Sequence, residues 1–289
     1  MSPVSAADGV RQPRRVRPAA VAGTWYPGTF DQLTSAVDRL LAGPAETSTG
    51  VTGDFVALIA PHAGLKYSGP VAACAYQLLR GRAFDLAVLV GPSHFVGFEG
   101  VAVYRDGAFE TPLGLVPVDE DAAAALMRST SVVHEDDSAH AREHSLEMQL
   151  PFLQRVAPGV PILPLVMGYQ TEATVNALAG GLAATLRDRP VLLVASSDLS
   201  HYHPANVAAR LDRVVLDLVS AFDADRLQAA LDAEPEHACG GGPVVAVMRA
   251  ARQLGAIDSR ILQYADSGDV SGDKSSVVGY MAAAIGRFS

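Results

Sequence analysis

The chain has 289 residues, 49% hydrophobic and 18% charged, a composition that builds a sizeable core and excludes a disordered protein. A net charge of −9 supplies no basic face to neutralise phosphates, so no nucleic-acid partner is expected. No run reaches the roughly 18 uncharged apolar residues that a membrane helix needs, and two cysteines make no disulfide framework, so no membrane is expected and the expected location is cytoplasmic.

Residues 1–16 read as a disordered leader, with the basic, Pro-containing stretch RQPRRVR from Arg11 to Arg17 and no apolar run after it that would make a secretory signal. A single α/β domain is expected over 17–289, because strand-like and helix-like segments alternate from Asp54 onward without a linker. DFVALIA is strand-like, GPVAACAYQLLRGR helical and DLAVLVG strand-like again; GFEGVAVYRDGAFETPLG reads as irregular. DEDAAAALMRS has an acidic start and helix-forming composition, and HSLEMQLPFLQRV has helical spacing with a kink expected at Pro151. PILPLVMG reads as a strand, TEATVNALAGGLAATLRD as a helix capped by Thr171, and PVLLVAS as a strand. Three helical segments follow, the last being GGPVVAVMRAARQLG, and RILQYAD and SVVGYMAAAI close the chain as strands.

Three of the buried strand-like runs stop at small or turn-forming residues that carry chemistry: Pro61-His62-Ala63-Gly64, Pro92-Ser93-His94 and Ser197-Asp198-Leu199-Ser200-His201. In an open α/β sheet, ligands bind outside the carboxyl ends of the strands, so these groups can converge there on a metal. Cys239 precedes Gly240-Gly241-Gly242-Pro243 at a helix start, where the dipole is expected to lower its thiol pKa; the rival reading is a small buried residue beside close-packed glycines. Cys74, inside an apolar helix, reads as an inert core residue. Asp198 and His201, three apart, can act as ligands or as a carboxylate-oriented acid/base. In HEDDSAHAREH, Ser138 stands where a zincin motif needs its second His, so the run reads as a solvated loop, although His140 and His144 are four apart. His144 and Glu147 are expected to face the substrate crevice.

These blocks together resemble the Memo family, whose bacterial members are called AmmeMemoRadiSam system protein B. The resemblance runs through AGTWYPG (22–28), APHAGLKYSG (60–69), VGPSHF (90–95), EHSLEMQLPFL (143–153), SSDLSHY (196–202), Cys239 before a glycine and GDKSSVVGY (272–280). It implies a single-domain α/β/α sandwich with a mostly parallel or mixed central sheet, similar to class III extradiol dioxygenases. It further implies one metal ion on His62, His94 and Cys239, with the thiolate where the dioxygenases place a carboxylate, His201 as acid/base and Asp198 beside it. Fe(II) is the first expectation and Cu or Zn the alternatives, since a thiolate softens the site. The implied activity is an O₂-dependent oxidoreductase acting on a small aromatic compound; a metal-dependent hydrolase and a non-catalytic metal- or peptide-binding module are the rivals. The partners implied are a small molecule or peptide in the crevice and a functional association with AMMECR-type and radical-SAM proteins.

Overall fold

The structure, a computed structural model, describes residues 15–43 and 51–288. Residues 1–14, nearly all of the expected leader, lie outside the described residues, and the described chain is already engaged at Arg15 and in a two-residue strand, β1 (Val16–Arg17). Helix α1 (Phe30–Leu41) follows, then β2 (Gly53–Ala60), α2 (Leu65–Tyr76) and β3 (Leu86–Pro92). The stretch read as irregular holds two short strands, β4 (Val101–Val103) and β5 (Ala108–Thr111), and ends on the first residue of a third, β6 (Gly114–Pro117). Pairing alone makes these strands, because three or four residues are too few to show a period.

Next come α3 (Glu120–Ser129), β7 (Val133–Glu135), α4 (Asp137–Ala141), α5 (Leu150–Val156), β8 (Ile162–Met167), α6 (Glu172–Leu186) and β9 (Val191–Ser196). Thr171 caps α6 through its side chain, which accepts from the Thr174 N–H as the sequence predicts. Pro151 does not kink a helix: a 3₁₀ turn over Glu147–Gln149 runs into α5, and Pro151 sits in its first turn, where a missing N–H costs nothing. The chain ends with β10 (His201–His203), α7 (Ala205–Ser220), α8 (Ala224–Ala233), α9 (Gly241–Gln253), β11 (Asp258–Asp266), α10 (Gly268–Ser271) and β12 (Val277–Phe288).

Nine strands form one mixed sheet in the order β10-β12-β2-β9-β3-β8-β4-β7, with β11 also paired to β12. Its centre, β2-β9-β3-β8, is parallel throughout. Side chains alternate along these strands: Leu86, Val88 and Val90 enter one core with α3, α6, α7, α8 and α9, whereas Ala87 and Leu89 enter the other with α1, α2 and α5. This is an α/β/α sandwich. Strands covered on both faces must be apolar at every position, and β3 and β8 are buried from end to end, each large aliphatic side chain contributing about 1.5–3 kcal/mol. Because β2, β9 and β3 are adjacent and parallel, their carboxyl ends open on the same edge. The residues after those ends are Pro61-His62, Ser197-Asp198 and Ser93-His94.

Candidate metal centre

His62 follows the end of β2 and is 1% exposed. Its Nδ1 lies 2.9 Å from Ser196 Oγ, and that hydroxyl already donates to the Ser145 carbonyl at 2.6 Å. The hydroxyl can then only accept, so the ring proton sits on Nδ1 and the Nε2 lone pair faces the crevice. Gln149 holds the serine in turn: its Nε2 donates to Ser196 Oγ at 2.8 Å and its Oε1 accepts from the Tyr76 hydroxyl at 2.8 Å. Burial, reinforced by His94 and His144, holds the imidazole well below its ordinary pKa, which keeps it neutral.

His94, in the turn after β3, is oriented by Glu143, a residue that sequence reasoning left without a role. Glu143 Oε1 accepts from His94 Nδ1 at 2.9 Å and Oε2 from its backbone N–H at 2.7 Å. The same carboxylate accepts from the backbone N–H groups of His144 and Ser145. Burial alone would raise the Glu143 pKa, but the bonds and charge of His94 outweigh it and bring the group to about 2. An ionised carboxylate on Nδ1 again leaves Nε2 to the crevice.

His144 completes a cluster. One ligand nitrogen each of His62, His94 and His144 lies within 4.8 Å of the other two, so the group could hold a metal ion. The fit is supported by a buried His144 Nδ1 that has no hydrogen-bond partner. The rings are not equivalent, however. His62 and His94 meet edge to face at 76°, with centroids 5.2 Å apart, whereas His94 and His144 stack at 19° and 4.6 Å. Trp25 lies against the His144 ring at 4.2 Å and Phe95 at 6.0 Å; both are partly exposed and make an aromatic wall beside the cluster.

Cys239 is brought to the same place from the far end of the sequence. Its Sγ is 3.3 Å from His62 Nε2 and accepts from the Asp198 backbone N–H at 3.3 Å. The approach requires glycine next in the chain: a Cβ on Gly240 would lie 2.4 Å from the Ser196 carbonyl oxygen. The expected lowering of the thiol pKa is not found. Burial and then the Asp198 carboxylate push it up, and both outweigh the helix start. Asp198 Oδ1 accepts from the His62 N–H at 2.7 Å, and burial raises this carboxyl to about 7. His201, on β10, has a buried Nε2 with no partner, and burial followed by His94 lowers its pKa.

The family model described as Memo-like protein matches residues 17–284. The chain belongs to the Memo family. Relatives described as MEMO1 family proteins include one from Ignicoccus hospitalis, 39% identical over 92% of this chain and 97% of its own length. Others come from Nitrosopumilus maritimus (35%, 92% and 98%) and Thermotoga neapolitana (37%, 93% and 99%). A solved structure of an uncharacterized protein from Escherichia coli K12 superposes with a TM-score of 0.54 at 19% identity, covering 79% of this chain and 99% of that one; it shares the fold.

Within this Memo-family chain, six of the seven residues expected at the site are gathered there: His62, His94, His144, Asp198, His201 and Cys239. Glu147 is not. It is fully buried, and its carboxylate is spent on Arg17, on the Tyr26 hydroxyl and on the Ala20 and Val21 N–H groups. It fastens the segment bearing Trp25 instead of lining the crevice. His140 is likewise no solvated loop residue but is 1% exposed, with Nε2 on the Ala102 carbonyl. Among the described residues no helix is long and apolar enough to cross a membrane.

Proposed function

We propose that this protein holds one metal ion, Fe(II) before Cu or Zn, on His62, His94 and Cys239, and works as an O₂-dependent oxidoreductase on a small phenolic or other aromatic compound. The place of Cys239 beside His62 supports the ligand assignment. An imidazole lone pair lies in the plane of its ring. The crossed planes of His62 and His94 let two lone pairs meet at one point, with Cys239 Sγ already beside His62 Nε2. His144 crosses His62 at 83° but stacks on His94 at 19°, which makes it the imidazole less suited to share an ion with both. His144 then serves as part of the aromatic wall, against which a flat substrate ring can lie.

Such an ion, when bound, offers open coordination positions and either redox or Lewis-acid chemistry. The chain's own groups do the rest. Cys239 gives up its thiol proton when the ion binds. His201 Nε2, free of any protein partner, takes a proton from a substrate hydroxyl, and Asp198, with a pKa of about 7, exchanges protons at neutral pH. Trp25 and Phe95 exclude water from one side of the substrate.

Anaerobic purification followed by metal analysis of His62→Ala, His94→Ala, Cys239→Ala and His144→Ala tests the ligand set. The first three lose the ion and the fourth keeps it; the opposite behaviour of Cys239→Ala and His144→Ala overturns the assignment. Oxygen uptake on a panel of catechols tests the reaction, and its absence in iron-loaded protein removes the oxidoreductase reading. The three-imidazole cluster favours a second reading, Zn-activated water in a hydrolase. That reading requires His144→Ala to lose the metal and zinc to be the ion retained.

A further inference from the structure

Beside Trp25 lies a groove of 430 Å³, bounded by the turn at residues 23–27, the last turns of α1 and the start of α2. We propose that it is a second binding site, one for a short alkyl carboxylate. Trp25, Leu40 and Leu65 give it apolar walls, and the only charged side chains that line it are Arg39 and Lys66. Both are cations in a chain of net charge −9, and neither forms an ion pair with a described residue. The carboxylates on neighbouring segments are taken. Asp38 holds Arg155 on both of its oxygens, and Asp266 and Asp269, on an adjoining groove that Arg39 also lines, hold Lys274. The uncharged polar side chains are spent as well: the Thr24 hydroxyl donates to the Val21 carbonyl at 2.9 Å and the Tyr26 hydroxyl to Glu147 at 2.6 Å.

The backbone points the same way. Helix α2 begins at Leu65 with no side-chain cap and no acidic residue in its first turn. The Leu65 N–H donates to the Trp25 carbonyl, and those of Tyr67 and Ser68 to the Gly64 carbonyl, whereas the Lys66 N–H has no partner among the described residues. Lys66 therefore stands at the positive end of a helix, a place that disfavours a cation and favours an anion. The negative end of α1 does not cancel this, because Gln77 Nε2 donates to the carbonyls of Leu40, Leu41 and Gly43. A carboxylate set against Lys66 offsets its repulsion from the helix start, and Arg39 adds a second charge of the same sign along the groove. The alkyl chain then covers Trp25, Leu40 and Leu65. An alkylamine would meet two cations and no acid, so a cationic ligand is excluded on charge.

The site does not rest on the metal, although Trp25 is common to the groove and to the wall beside His144. Trp25 is also the single tryptophan of the chain, so its emission reports binding directly. Hexanoate and hexylamine titrated into the full chain, metal-loaded and metal-free, decide the matter. Hexanoate shifts the emission saturably in both forms and hexylamine does not. Arg39→Gln and Lys66→Gln, changes at exposed side chains, together weaken hexanoate binding at least tenfold with the melting temperature unchanged. Lys66→Glu, which gives the start of α2 the charge that its dipole favours, abolishes binding while the melting temperature holds or rises. His62→Ala, which strips the proposed metal site, leaves hexanoate binding intact, so this proposal can fail without the metal reading and the reverse. Hexanoate bound by the metal-loaded form alone, hexylamine bound as tightly as hexanoate, or an affinity unchanged in the double variant overturns it.

Discussion

Glu143 grips His94 at both ends, taking the backbone N–H on one oxygen at 2.7 Å and the ring Nδ1–H on the other at 2.9 Å. A carboxylate in that position sets the tautomer and the direction of the ring, and it makes Nε2 a better donor to a metal. It also ties the turn after β3 to the loop that carries His144.

Glu143→Ala is therefore expected to lower metal affinity by about 10- to 100-fold without removing a ligand, the usual cost of losing such a partner. Competition with a chelator of known affinity reads the loss. Glu143→Gln keeps one acceptor on the ring and should fall between the wild type and the alanine variant. An affinity unchanged in both variants would separate Glu143 from the metal site.

His201→Ala should keep full metal content and lose turnover on any substrate that the wild type converts, by about 10² to 10⁴. The reason is positional: its buried Nε2 makes no hydrogen bond to the protein, so none to His62, His94 or Cys239 is lost on its removal. Metal analysis and oxygen uptake on the same preparation check both halves. Loss of the ion in this variant would move His201 into the ligand set.

Glu147→Ala should destabilise the fold by about 3–5 kcal/mol, because it strands the buried Arg17 guanidinium, which is 2% exposed and paired to Glu147. Chemical denaturation gives the figure. The metal content of the folded fraction should remain normal, in contrast to Glu143→Ala.

His140 makes stability depend on pH. Burial holds its pKa at about 4, against 6.5 for the free group, with a smaller opposing effect from the Ala102 carbonyl. The unfolded chain therefore binds the extra proton first. The contribution is complete above pH 6.5 and is lost as pH falls toward 4, on the order of 3 kcal/mol in all. Unfolding midpoints measured between pH 7 and 4 should fall less steeply in His140→Asn than in the wild type. Equal slopes would show that His140 has the same pKa in the folded and the unfolded chain.

The apolar runs that end in His62, His94 and Asp198 made the central strands and the chemical edge of the sheet legible in the sequence alone, because strands covered on both faces must be apolar at every position. The short strands β4 to β6 were not legible, since pairing makes them and not composition. The same division runs through the site. The residue types pointed to His62, His94, Asp198, His201 and Cys239, whereas only the folded chain shows Glu143 behind His94 and Glu147 turned away to Arg17. Two carboxylates four residues apart in a polar stretch look alike in sequence. Which one faces a histidine depends on how the 3₁₀ turn meets β3 and the strand at Val16–Arg17. The Cys239 thiol teaches the same lesson: a helix start lowers a pKa, but burial and a neighbouring carboxylate, both tertiary facts, decide its direction.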